Sequence, residues 1–134
     1  MITMNYQMPL HITELPIYQK AMDIMVLSRT ISTYLHQDLV HLKQDGSEDC
    51  HIYFSGDIIQ QSASLAPQIE KAQAERFSEN KYKHLDALER LVHRLHTNCN
   101  RLHHCNSNGR DYLPLLYTEL KKFKRLQRHW MLTL

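Results

Sequence analysis

The chain has 134 residues, 43% of them hydrophobic, with only 3 Gly and 4 Pro. That is room for one core, and so few turn residues beside many Leu, Ile, Lys, Gln and Glu point to a mostly helical protein. The net charge of +2 hides an asymmetry: residues 1–80 carry 5 Lys/Arg against 10 Asp/Glu, and residues 81–134 carry 11 against 4. No stretch reaches the roughly 18 apolar residues of a membrane span, no leader pattern opens the chain, and three cysteines without a CxxC pair fit a reduced, cytoplasmic setting.

Residues 1–13 lack periodicity and read as a loose arm, with one helical domain expected over 14–131. A first helix fits 15–43, with Pro16 in its first turn, where a missing N–H costs nothing. Ile17, Ala21, Ile24, Ile31, Leu35 and Leu42 form its core stripe. "QDGSED" at 44–49 breaks the pattern; Gly46 stops one helix, and Ser47 is placed to cap the next. The second helix, about 50–76, has Ile52, Ile59, Ala63, Ala66 and Ile69 as its stripe, and Pro67 predicts a kink.

The third helix starts at the best available cap, Ser78 followed by Glu79. Leu85, Leu88, Val92, Leu95, Cys99 and Leu102 then run at three-four spacing. "CNSNGRD" at 105–111 is a loop in which Asp111 is a fair cap. The fourth helix carries Tyr112, Leu116, Leu120, Phe123 and Trp130 on one side. Four helices with short links predict an all-α, up-down-up-down antiparallel four-helix bundle.

"VHRLHTNCNRLHHCN" at 92–106 raises the question of a metal. His96, Cys99 and His103 share one helix face at i, i+3 and i+7, a spacing zinc can use. No fourth ligand motif is evident elsewhere, and a single Glu-x-x-His string, Glu48 to His51, falls short of a di-iron bundle. The expectation is no metal and no cofactor, with a His/Cys metal-binding bundle the least favoured reading. No nucleophile elbow, P-loop or dinucleotide fingerprint is present, so no enzyme is expected.

On a helical wheel, Arg90, Arg94 and Arg101 stand opposite the third helix's apolar stripe. Tyr117, Lys121, Lys124, Arg125 and Arg128 share an outward face of the fourth, with Lys122 and His129 extending it and Glu119 toward the core. Like charges at i,i+4 weaken an isolated helix by a few tenths of a kcal/mol each. Phosphate binding explains such an accumulation, through counterion release and Arg's planar donor fork. Tyr117 is placed to stack on a base. An outer apolar stripe, Leu15, Met22 and Val26 with Val40 further along, joins the wide arc of the second helix, Phe54, Ile58 and Leu65 with Ala72, in predicting a self-association surface.

"ELPIYQKA", Glu14 to Ala21, resembles the opening Leu-x-[Val/Ile]-[Trp/Tyr]-Gln-Lys-Ala of a bacterial four-helix-bundle family. That family comprises proteins encoded in ribosomal RNA intervening sequences and the accessory variability determinants of diversity-generating retroelements. "SASLAPQIEKA" at 62–72 resembles the family's kinked Ser-Ile-Pro-x-Asn-Ile-Ala-Glu segment, although the Asn-Ile-Ala-Glu run itself is absent. The resemblance implies a homopentameric ring with a positive surface which, in retroelement members, binds a reverse transcriptase and its RNA or DNA. The rival expectation is a protein-interaction scaffold, in which Asp23, Asp38 and Asp57 of one copy meet the basic face of another.

Overall fold

In the computed structural model, the described residues are 12–39, 51–104 and 108–134. They are mostly helical, and no strand occurs among them. The helices are α1 (Pro16–Leu39), α2 (His51–Ala63), α3 (Leu65–Ala74), α4 (Ser78–Leu102) and α5 (Leu113–Met131), with a 3-10 turn at Asn108–Tyr112 leading into α5. No helix among the described residues is long and apolar enough to cross a membrane. The expected break at 44–49, with Gly46 and Ser47, lies outside the described residues, as do Val40, Leu42 and most of the expected arm. Residues 12–14, at the end of that arm and the start of the expected domain, are a helical turn. The Leu15 carbonyl accepts from Gln19 N at 3.0 Å, so Pro16 enters α1 where its lack of an N–H loses no bond.

One core joins the helices. α1 contributes Ile17, Ala21, Ile24, Ile31 and Leu35, and α4 contributes Leu85, Leu88, Val92, Leu95, Cys99 and Leu102, all buried as their spacing predicts. α5 adds Leu113, Leu116, Leu120, Phe123 and Trp130. Each such burial of a large aliphatic side chain stabilises the fold by roughly 1.5–3 kcal/mol. α1 packs on α2 and α5, and α4 packs on α2 and α3 more closely than on α5. Polar bonds tie these layers together. Ser32 Oγ donates to the Ser55 carbonyl at 2.8 Å, Asn98 Nδ2 to Gln61 Oε1 at 3.0 Å, and Trp130 Nε1 to Gln73 Oε1 at 2.8 Å.

Several expectations are corrected. The second helix is two segments that break at Ser64, three residues before Pro67. The proline ring clashes with the carbonyl four residues earlier, Ala63, so the break falls there and Pro67 sits in the first turn of α3. Ala66 and Ile69 are buried as expected, but before the break the buried face is rotated from the expected stripe. Ser55, Ile58, Ser62, Leu65, Ala66, Ile69 and Ala72 are buried, whereas Ile59 and Ala63 are half-buried. Ser78 is the first helical residue of α4 rather than its cap. Phe77 takes the cap position, and Glu75 Oε1 accepts from the N–H groups of Arg76 and Phe77 at 3.0 and 3.2 Å. Asp111 lies within the 3-10 turn, and Tyr112 takes the cap position of α5. Tyr112 is exposed and stacks on Tyr34, ring centroids 5.3 Å apart, instead of joining the core.

Candidate anion-binding surface

The α5 cations follow from its amphipathic pattern. With Leu116, Leu120, Phe123, Gln127 and Trp130 turned inward, Lys121, Lys124, Arg125 and Arg128 must stand outside, and all four are exposed. The acid on this helix is drawn the other way. Glu119 Oε1 accepts from Lys20 Nζ of α1 at 2.9 Å, and its second oxygen pairs with Lys122 at 3.2 Å. These donors hold the Glu119 carboxyl below the usual carboxylate range, against a smaller opposing effect of burial. Lys20 in turn is raised, first by its bond to Glu119. Among the described residues none of Arg90, Arg94, Lys121, Lys124, Arg125 and Arg128 forms an ion pair.

Lys124 and Arg128 line a groove of about 420 Å³ between α4 and α5. Glu89, Val92 and His93 form the α4 wall; Gln127 and Met131 complete the α5 wall. Nearby, His96 is half-buried and its pKa is lowered, first by burial and then by the charges of Lys124, His93 and Lys121. The effect places Lys124, His93 and Lys121 within electrostatic reach of His96. Two cations against the single carboxylate of Glu89 leave the groove with an excess of positive charge.

Tyr117 does not present a free ring. It stacks on His103 at 5.2 Å and meets the edge of His96 at 5.3 Å, and its hydroxyl donates to Asn100 Oδ1. Burial pushes its pKa up to about 12, with a further push from Cys99. The expected base-stacking role is therefore corrected: this tyrosine closes the seam between α4 and α5.

The arginines of α4 belong to a different surface. Arg94 and Arg101 line a second groove of about 330 Å³ with Asp57, Gln61, His93, Thr97 and Asn98. Arg101 lies over the Phe54 ring, 5.0 Å from its centroid, and donates to Asn98 Oδ1 at 3.3 Å. Arg90 is exposed and lines neither groove. His93 is the residue common to both grooves, with Arg94 and Arg101 in one and Lys124 and Arg128 in the other.

The residues expected at an oligomer interface also separate. Met22 and Val26 are exposed on α1. Leu15 is half-buried and lines an apolar groove of about 200 Å³ with Leu126 and Trp130. Phe54 is half-buried beneath Arg101. Ile58 and Leu65 are corrected: both are fully buried in the chain's own core and cannot face a second copy. His96, Cys99 and His103 are not gathered for a metal either. Burial pushes the Cys99 thiol up to about 12, away from the thiolate that zinc needs, and His103 is stacked on Tyr117. Among the described residues no three His, Cys, Asp or Glu side chains stand close enough together to hold an ion.

Sequence reasoning missed His93, Gln127 and Glu89 as groove residues. Gln127 was signalled by falling on the inner stripe of α5, between Phe123 and Trp130. His93 and Glu89 had no local signal, because the groove exists only once α5 lies beside α4. No family model, curated protein or solved structure matches this chain.

Proposed function

We propose that this chain is a non-enzymatic, nucleic-acid-binding homo-oligomer. Its helices form an up-down-up-down antiparallel four-helix bundle of the intervening-sequence and accessory-variability family. Copies assemble as a cytoplasmic pentameric ring, and a reverse transcriptase with its RNA or DNA is the partner. The observation that carries the reading is the set Lys121, Lys124, Arg125 and Arg128 on α5, exposed and without ion pairs among the described residues, beside His93 and His96. Keeping four cations within eight residues weakens the helix locally, and an extended polyanion offsets that cost by counterion release. The exposed apolar pair Met22 and Val26 supports self-association, and a ring would multiply weak basic patches into an avid surface.

The test is fluorescence anisotropy with labelled single-stranded RNA over a salt series, beside light scattering for native mass. The reading expects five copies per particle and log affinity falling linearly with log salt. Absent binding, or an affinity indifferent to salt, overturns the nucleic-acid reading. Loss of the oligomer on Lys121→Glu/Lys124→Glu would favour a scaffold that docks its own acidic helices instead.

A further inference from the structure

The α4–α5 groove contains one group that a simple phosphate trap should lack. Lys124 and Arg128 line it, His93 stands on its opposite wall, Met131 supplies exposed apolar surface, and Val92 lies buried at its base. Beside them is Glu89, exposed on α4 and in no ion pair with either cation among the described residues. A carboxylate near a phosphate costs affinity through like-charge repulsion. It also accepts hydrogen bonds and donates none. In a nucleic-acid strand the groups that donate to such an acceptor are sugar hydroxyls and base N–H groups, and the 2′-hydroxyl is what RNA has and DNA lacks.

Resting on the nucleic-acid reading above, we infer that this groove is an RNA-selective seat. Lys124 and Arg128 hold a backbone phosphate, Glu89 accepts a hydrogen bond from the adjacent ribose 2′-hydroxyl, and the sugar lies against Met131. Arg128 offers a planar donor fork and Lys124 a point charge, so the pair both orients and attracts the phosphate. The lowered pKa of His96, set first by burial and then by Lys124, His93 and Lys121, agrees with an anion-attracting seam.

The test compares a short oligouridylate with its 2′-deoxy counterpart, which shares every base, by anisotropy at one fixed salt concentration. Wild type is expected to bind the ribo strand more tightly, by roughly tenfold, the worth of one hydrogen bond to a charged group. Glu89→Ala is expected to abolish that preference while the deoxy strand binds as well as before or better, because a repulsive charge is gone. Glu89→Gln keeps a carbonyl acceptor and should retain part of the preference. Lys124→Ala and Arg128→Ala should weaken both strands together. The inference is overturned if wild type binds both strands equally, or if Glu89→Ala raises both affinities by one common factor. Binding of neither strand sinks the parent reading, and this one with it.

Discussion

Replacing Lys20 by Met removes the α1 partner of Glu119 and tests how the acid of α5 is held away from its cations. The two side chains are 19% and 21% exposed, and the bond is 2.9 Å long. That places the pair between exposed ion pairs, worth roughly 0.2–1 kcal/mol, and buried ones, where losing one partner costs roughly 3–5 kcal/mol. Glu119 keeps Lys122, a weaker partner whose side chain is 53% exposed. The expected loss is therefore about 1–2 kcal/mol, or roughly 3–10 °C in melting midpoint for a chain of this size. The pH dependence carries a sign. Glu119 is held below its usual value, so its contribution is complete above about pH 4.3 and fades as pH falls through the depressed folded value. Lys20 is held above its usual value, so its contribution is complete below about pH 10.4 and fades only at higher pH. The stability gap between wild type and Lys20→Met should stay level from about pH 5 to 9 and narrow toward pH 3. Urea melts across that range measure it. A gap below about 0.3 kcal/mol at pH 7, or one that widens in acid, would refute the reasoning.

Gly109→Ala should destabilise the chain by about 1–3 kcal/mol in a thermal melt. A Cβ there would lie 3.0 Å from Leu35 Cδ2 and 3.1 Å from its backbone nitrogen, and helix backbone cannot easily yield. Gly56→Ala should instead stabilise by about 0.5–1 kcal/mol, because Gly56 is exposed within α2 and a Cβ meets nothing within 4 Å. Ser28→Ala should be neutral or stabilising by up to about 1 kcal/mol, since the buried Ser28 hydroxyl has no partner among the described residues; a clear loss of stability would contradict this. In a Cys50→Ser/Cys105→Ser background, Cys99 should resist thiol reagents until the protein unfolds, and rapid labelling of native protein would show that the core around it opens.

The stripes of α1 and α4 were legible because one face meets one core. Leu85 through Leu102 needed no tertiary information, and neither did Ile17 through Leu35. α2 was misread because its face is built partly from Ser55 and Ser62, small polar residues that a search for apolar periodicity passes over. Ser55 is buried against α1, where its carbonyl accepts the Ser32 hydroxyl, a bond invisible from either segment alone. The break at Ser64 was displaced from Pro67 because the proline acts on the carbonyl four residues back. At the surface, the wheel correctly set the α5 cations outside, since one helix decides that. It could not tell that Tyr117 would lie between His96 and His103, or that Arg101 would settle over Phe54. Those positions depend on the neighbouring helix, and so does the separation of the α4 arginines from the α5 groove.

Salt dependence of single-stranded RNA affinity, compared between wild type and a Lys121→Ala/Lys124→Ala/Arg128→Ala variant, measures the central claim most directly. If these three cations hold backbone phosphates, the log–log slope becomes shallower by about two, at roughly 0.7 per phosphate on a single strand. Parallel lines of unchanged affinity would contradict it, because charges that contact no phosphate release no counterions.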